Sequence, residues 1–214
     1  DGEVEVLVQA TAADGGLNGL AVGPDGIPYV GTRSGVHRVE DGALQPVLVS
    51  ADEGVGGVGP LAFDGAGNLY LVDTSSYRVL RQAAGGGALS LVAGTGAIGT
   101  SGEPEGEGGP ATDAPLVRPT ALAVDGEGNL LVADAGLGVV RSIDGGGEVT
   151  TIAGGGDVPL APGGGEYAAD GTPATDLAFG SVDGLAVDGD GRVDVTDGLS
   201  RAAVRFTPGG GGEL

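Results

Sequence analysis

Residues 122–134 read LAVDGEGNLLVAD, and this stretch decides the fold because the chain repeats it. The same frame occurs without a gap as LAVGPDGIPYVGT, LAFDGAGNLYLVD and LAVDGDGRVDVTD, at residues 20–32, 61–73 and 185–197. Each copy has a short apolar run, a turn rich in Gly and Asp, and a second run with alternating apolar positions. Because glycine supplies the positive φ that tight turns demand, the frame predicts a β-hairpin.

Further apolar runs follow these hairpins. A third strand is predicted after every hairpin, and a fourth at 44–49, 88–93 and 148–153. Four antiparallel strands per repeat are typical of the blades of a β-propeller. Since no long stretch has the 3.6-residue period of a helix, the sequence predicts an all-β chain, with at most a short helical turn in a loop.

The two ends of the chain are expected to complete one another. The fourth repeat ends in PGGGGEL at 208–214, before an outer strand is expected to form. Residues 3–8 read EVEVLV and resemble the other outer strands, but they have no first three strands of their own. Pairing them with the last repeat would cover two sheet edges. The sequence therefore predicts a single β-propeller domain over 1–214, with four blades closed by the N-terminal strand.

The spacing of the repeats divides this predicted domain. We expect repeat units at about 19–50, 60–93, 121–153 and 184–214, the last completed by residues 1–8. The last two intervals between repeats are longer than the first, which places insertions at 94–118 and 154–182. Both insertions contain the letters PATD and are expected to resemble one another.

The composition restricts the classes of function. The chain has 9 Lys+Arg against 30 Asp+Glu, a formal net charge of −21. Such an acidic surface repels nucleic-acid phosphates and anionic lipids, so we expect neither nucleic-acid binding nor membrane contact by this segment. The absence of Cys excludes disulfides and thiolate chemistry.

Metal and catalytic chemistry have weak support. His37 is the only histidine, whereas metal-dependent propeller enzymes need several His or a His with converging carboxylates. Asp64, Asp125 and Asp188 are expected to bond their own turns rather than calcium, because no Glu follows at the distance that a calcium loop requires. We predict no cofactor, no metal site and no catalytic residue. A site made only of carboxylates stays open, given the 30 acidic residues.

The candidate binding residues share one predicted face. In a four-stranded antiparallel blade, the loop between the second and third strands and the loop between blades lie at the same end. Long loops on a rigid scaffold often form binding surfaces, although solvated loops without a partner are the alternative. Six ligand-binding candidates lie in these loops: Arg33, Tyr77, Arg78, Arg118, Tyr167 and Arg201. Asp73, Asp134 and Asp197 end the second strands there and are expected to bond backbone or Arg, with a cation-binding ring as the alternative.

The frame LAVDGEGNLLVAD, followed by an Arg a few residues later, resembles the NHL-repeat family of β-propellers. The segment GGPATDAPL at 108–116 is similar to a loop that is common in bacterial members. The chain departs from the family in having fewer blades than usual and in lacking the Asn-Asn-Arg stretch after the second strand. The resemblance implies the extracellular sensor domain of a receptor-type serine/threonine kinase, or a secreted binding module.

We therefore expect a non-catalytic, extracellular ligand-recognition module, either secreted or the ectodomain of a membrane protein. Its partner is expected to be a small molecule, peptide or protein, preferably cationic because of the net charge of −21. Self-association of two propellers is a further expectation. Two alternatives stay open: a carboxylate-based hydrolase or lyase of the propeller type, and a structural or adhesive protein-interaction module.

Overall fold

The computed structural model describes residues 6–11, 14–49, 53–100, 104–160, 171–209 and 212–213. The chain is all-β there, with almost no helix. Two short 3₁₀ helices, Ala111–Asp113 and Ala174–Asp176, occupy the PATD segments of the two insertions. Among the described residues, no helix is long and apolar enough to cross a membrane.

Four four-stranded antiparallel sheets form the blades of a β-propeller, each with its strands in chain order. The first blade has β1 (Leu17–Val22), β2 (Pro28–Thr32), β3 (Gly35–Glu40) and β4 (Ala43–Val49). The second has β5 (Val58–Phe63), β6 (Leu69–Asp73), β7 (Arg78–Gln82) and β8 (Ser90–Ala93). The third has β9 (Pro119–Val124), β10 (Leu130–Asp134), β11 (Val139–Ile143) and β12 (Val149–Gly154). A parallel pair, β13 (Val158–Pro159) and β14 (Leu177–Ala178), precedes the fourth blade, which has β15 (Val182–Val187), β16 (Val193–Asp197), β17 (Ala202–Phe206) and β18 (Gly212–Glu213).

The repeated frame forms the first two strands of each blade, as predicted. In these turns of the second, third and fourth blades, an aspartate Oδ1 accepts the backbone N–H groups of the residues two and four positions later, at 2.8–3.0 Å. The aspartates are Asp64, Asp125 and Asp188. Their predicted role as turn residues is therefore confirmed.

The end of the fourth blade differs from the prediction. Gly212–Glu213 pair with β17 at Phe206 and Arg205, so the chain's own C-terminal residues supply the outer strand that we expected to be missing. A two-residue strand needs only backbone hydrogen bonds, which a glycine-rich segment still provides. The prediction that the N-terminal strand supplies the outer strand of the fourth blade is therefore wrong, because Gly212–Glu213 take that place. Residues 1–5 lie outside the described part of the chain, and residues 6–8 form no strand.

The chain divides into two compact units, residues 1–76 with 80–90 and residues 77–79 with 91–214. In the first unit, β1 and β2 pack on β5. Its core contains Val36, Leu48, Val55, Val58, Leu61, Leu69, Leu71 and Leu80. In the second unit, β9 and β10 pack on β15 around a second, mostly aliphatic core. The predicted single domain over 1–214 stays a prediction, as do the bounds of its repeat units.

A buried arginine fixes the first insertion to the third blade. Arg141 in β11 is fully buried, and its Nη2 donates to the main-chain oxygen of Glu105 at 2.6 Å and to the carboxylate of Glu107 at 2.9 Å. Glu107 also accepts the backbone N–H and the hydroxyl of Thr151, both at 2.7 Å. Because a buried charge is costly unless it is paired, this salt bridge holds the insertion against the blade.

Candidate functional site

The carboxylates that end the second strands organise the loops of the predicted binding face. Asp134 is fully buried and accepts the backbone N–H groups of Val117 and Arg118 at 2.8 Å and of Gly136 at 3.1 Å. Asp197 accepts in the same way from Gly180, Ser181, Leu199 and Ser200. Each carboxylate therefore connects the end of an insertion with the turn between the second and third strands of its blade.

In the first two blades, the residue that ends the second strand also accepts backbone N–H groups. Asp73 accepts the backbone N–H groups of Gly56 at 3.2 Å and Ser75 at 3.1 Å. Thr32 takes the same position in the first blade, where its hydroxyl accepts the N–H of Ser34 at 3.1 Å. The predicted bonding of these aspartates to backbone is confirmed. In the described part of the chain, no group of three or more His, Asp or Glu side chains could hold a metal ion.

Five of the six predicted binding residues are described. Arg33, Arg118 and Arg201 are exposed, whereas Tyr77 and Arg78 are half-buried. Tyr167 lies outside the described residues.

Two of these arginines lie beside the insertions. Nη2 of Arg118 lies 3.5 Å from the hydroxyl of Ser181, which brings the ends of the two insertions together. The side chain of Arg78 lies beside Gly96 in the first insertion. Whether these residues bind a ligand stays a prediction.

Two of the predicted residues have strained backbones. Tyr77 and Arg201 have φ of 52° and 55°, and Gly138 takes the equivalent position in the third blade with φ of 67°. The left-handed conformation costs a residue with a side chain about 1–2 kcal/mol, and glycine avoids this cost. Because such strain is often found at binding sites, its presence favours a role for these two side chains.

A groove in the first unit was not predicted from the sequence. It has a volume of about 600 Å³ and lies between the first and second blades, at the end where the turns join the first two strands. Its wall combines aromatic, charged and amide side chains, among them Tyr29, Phe63, Arg38, Glu40, Gln45 and Gln82.

The groove has one aromatic wall and one charged wall. The rings of Tyr29 and Phe63 meet edge to face, with centroids 4.9 Å apart. The guanidinium of Arg38 lies 5.9 Å from the Tyr29 centroid, and its Nη2 lies 2.6 Å from Glu40 and 3.4 Å from Asp25. Arg38 and Glu40 line the groove, and Asp25 contacts Arg38 without lining it. These three side chains together carry a net negative charge, which favours a ligand with positive charge.

Burial and hydrogen bonding shift the pKa values of Tyr29 and Asp25 beside the groove. The Tyr29 hydroxyl donates to Asp25 at 3.1 Å, and burial together with this bond raises the pKa of Tyr29. Burial acts to raise the pKa of Asp25, but the Ile27 amide, the Tyr29 hydroxyl and Arg38 outweigh it and lower that pKa. At neutral pH Tyr29 is therefore a neutral donor and Asp25 a carboxylate.

No signal in the sequence pointed to this groove. The chain has only seven aromatic residues, three Phe and four Tyr, and four of them lie in the first two repeats: Tyr29, Phe63, Tyr70 and Tyr77. The alternation of Tyr29 and Phe63 with apolar neighbours predicts strand positions and nothing more. Only the packing of two blades brings these two rings together.

Comparisons with known proteins agree with this architecture. Residues 16–162, more than two thirds of the chain, match the family model of the teneurin NHL domain. No curated protein sequence matches the chain.

Several solved structures share the fold. An auxiliary nutrient binding protein from Bacteroides thetaiotaomicron has a TM-score of 0.66 at 17% identity, over 92% of this chain and 48% of that chain. A chain of a nidogen/laminin complex has a TM-score of 0.61 at 16% identity, over 91% of this chain and 61% of that one. A streptogramin B lyase has a TM-score of 0.57 at 12% identity, over 94% and 54% respectively.

The chain spans about half to three fifths of the length of these solved proteins. At such low identity the likeness shows the fold alone. The family match is a match of sequence, and it covers the first three copies of the repeated frame and the first insertion. This chain therefore belongs to the teneurin NHL domain family.

Proposed function

We propose that this chain is a non-catalytic ligand-recognition module whose ligand binds in the groove between the first and second blades. The groove itself carries the proposal: its volume of about 600 Å³ is typical of small-molecule sites, and a few polar groups converge beside an aromatic wall. The NHL family and the nutrient-binding neighbour give further support to a ligand-binding or interaction module.

The ligand that suits this groove carries a positive charge next to an apolar part. Glu40 and Asp25 share one arginine, so their combined charge is only partly neutralised. The net charge of −21 attracts a cation to the surface before it reaches the groove. Tyr29 and Phe63 then cover the apolar part, which fits a small amine or a peptide with Arg or Lys.

The proposal extends to where the module acts. We place it outside the cytoplasm, as a secreted protein or the ectodomain of a membrane protein, including a sensor of the receptor-type serine/threonine kinase kind. The similarity of the first insertion to bacterial NHL loops supports this location.

A carboxylate-based hydrolase or lyase stays the alternative. Such enzymes need one carboxyl group with a raised pKa that donates a proton and a second that stays ionised. Beside the groove, the pKa of Asp25 is lowered instead, and Asp25 and Glu40 contact the same arginine, Arg38. These contacts favour ligand binding over acid catalysis at this site.

Titration calorimetry with two tripeptides, Gly-Arg-Gly and its neutral analogue Gly-Gln-Gly, tests the proposal. We expect the cationic peptide to bind and the neutral one to bind at least about tenfold more weakly. Tyr29→Ala and Glu40→Gln should each weaken binding by about tenfold or more. Tyr70→Ala is the matched control, because Tyr70 has the equivalent place in the second blade's frame and does not line the groove.

Two results would contradict the groove as the site. The first is the absence of binding by the cationic peptide. The second is binding that survives the groove variants but is weakened by Arg118→Ala, which would assign the ligand to the loops of the predicted face instead.

A further inference from the structure

Arg38 occupies part of the groove that we propose as the ligand site. Its side chain lines the groove and is 33% exposed. Its Nη2 lies 2.6 Å from Glu40 and 3.4 Å from Asp25, and its guanidinium lies 5.9 Å from the centroid of the Tyr29 ring. These carboxylates and this ring are the groups that we assign to the positive charge of a ligand. The chain therefore already holds a cation where the cation of the ligand would bind.

The contacts of Arg38 are incomplete. Its Nη2 makes both carboxylate contacts, whereas its Nε is buried and has no hydrogen-bond partner among the described residues. A buried donor without an acceptor is unfavourable, because it has lost its hydrogen bonds to water. The distance of 5.9 Å to the Tyr29 ring is also close to the outer limit of a cation–π contact. Arg38 is therefore held less firmly than an arginine whose donors are all bonded.

The fourth blade contains a more completely bonded arginine at a similar place. Arg205 lies opposite Asp194 in β17 and β16, as Arg38 lies opposite Tyr29 in β3 and β2. Nε and Nη2 of Arg205 donate to the two carboxylate oxygens of Asp194, both at 2.7 Å. Such bidentate pairing is strong because it matches the planar geometry of both groups. The first blade has a tyrosine opposite its arginine, so Arg38 cannot pair in this way across the strands.

We propose that Arg38 competes with the ligand for the groove, and that a ligand with a guanidinium group binds by displacing the Arg38 side chain. The displaced side chain turns towards solvent, where water accepts a hydrogen bond from its Nε. The guanidinium of the ligand then lies beside Glu40 and against the Tyr29 ring. This inference rests on the proposed function, because it concerns the same groove. It adds the chemical class of the ligand and a residue that limits the affinity.

The side chain that now fills this place indicates which cation fits it. A guanidinium is planar, packs against aromatic rings and is more weakly hydrated than the ammonium group of lysine. It can also donate to Glu40 through more than one nitrogen, which an ammonium cannot. We therefore expect Gly-Arg-Gly to bind at least about threefold more tightly than Gly-Lys-Gly.

Titration calorimetry of Gly-Arg-Gly with Arg38→Gln tests the displacement. The variant removes the competing guanidinium and leaves Glu40 to the ligand. We expect the affinity to rise by about tenfold, the effect of one exposed ion pair together with one cation–π contact. Arg81→Gln is the matched control, because it removes the same charge from β7 of the second blade, where Arg81 does not line the groove. It should change the affinity by less than about twofold, since salt screens distant charges.

Hydrogen exchange at the Nε proton of Arg38 gives a second measure that does not depend on affinity. This proton is buried in the free chain, so its exchange with water should be slow. Unlabelled Gly-Arg-Gly added to the isotopically labelled chain should speed this exchange at least about tenfold. Arg38→Gln identifies the resonance by removing it. The Nε proton of Arg205, which bonds Asp194, should keep its exchange rate.

Three results would overturn this inference and leave the proposed function intact, provided that Glu40→Gln still weakens binding. The first is an Arg38→Gln variant that binds Gly-Arg-Gly no more tightly than the unmodified chain, which would make Arg38 a donor to the ligand or a structural residue. The second is an unchanged exchange rate at the Arg38 Nε proton in the bound state. The third is equal or tighter binding of Gly-Lys-Gly. If Gly-Arg-Gly binds neither the unmodified chain nor Arg38→Gln, the proposed function is wrong and this inference with it.

Discussion

The first and third blades share one sequence frame and one hairpin but differ in the burial of the repeated leucine. Leu20 pairs with Val30 across the hairpin of the first blade as Leu122 pairs with Val132 in the third. Leu122 is nevertheless buried and Leu20 is 68% exposed. The frame therefore specifies the local strand pair, while tertiary packing decides whether its apolar side chain is stabilising, as at Leu61, which lies in the core that the first two blades share. The same residue type at the same repeat position should contribute differently to stability.

The largest expected effect comes from truncating this repeated leucine. Leu61→Ala and Leu122→Ala should each lower the free energy of unfolding by about 3 kcal/mol, because each removes most of a buried side chain and leaves a cavity. Leu20→Ala should change it by less than about 0.5 kcal/mol, because Leu20 is exposed. Urea denaturation measures all three. Equal losses at the three positions would contradict the difference between the blades.

The residue that ends the second strand provides a second comparison. Asp134→Ala should lower the free energy of unfolding by about 2 kcal/mol, because it leaves the buried N–H groups of Val117 and Arg118 without an acceptor. Thr32→Ala in the first blade should cost less, since the Thr32 hydroxyl accepts a single N–H. Hydrogen exchange at Val117 and Arg118 gives an independent measure. Unchanged exchange in Asp134→Ala would show that the carboxylate does not hold this loop.

The strained turn positions predict a gain in stability. Arg201→Gly should raise the free energy of unfolding by about 1 kcal/mol, because glycine adopts the left-handed backbone without strain. The third blade supplies the reverse control in Gly138→Ala, which should be destabilising because a Cβ there would lie 2.7 Å from the carbonyl oxygen of Phe179. Thermal unfolding compares the two variants. A loss of stability in Arg201→Gly would mean that the side chain compensates for the strain.

The smallest effect concerns acid stability in the hairpin turns. Burial acts to raise the pKa of Asp64, but hydrogen bonds from Asn68, Ala66 and Tyr70 lower it below its ordinary value of 3.8. A carboxyl whose pKa is lowered on folding stabilises fully above its unfolded pKa and loses this contribution as the pH falls through the folded pKa. Asp64→Asn should therefore flatten the fall in urea midpoint below about pH 4. Asp25→Asn should act in the same direction in the first blade. A profile identical to that of the unmodified chain would contradict this origin of the acid sensitivity.

The sequence predicts features that depend on a few neighbouring residues, and it does not predict features that depend on contacts between distant segments. The hairpins and the turn role of Asp125 were predictable, because alternation and an Asp-Gly turn act within a few residues. The outer strand Gly212–Glu213 was not, since its pairing uses backbone groups that leave no mark on a glycine-rich stretch. The groove at Tyr29 was missed because it exists only where two blades meet.

The central claim is that the repeated leucine is buried in the second and third blades, as Leu61 and Leu122, and exposed in the first blade, as Leu20. The chain contains no Cys, so Leu20→Cys, Leu61→Cys and Leu122→Cys each introduce a single thiol. Maleimide labelling of dilute protein should be fast at position 20 and at least about a hundredfold slower at positions 61 and 122, where local opening must come first. Similar rates at the three positions would contradict the account.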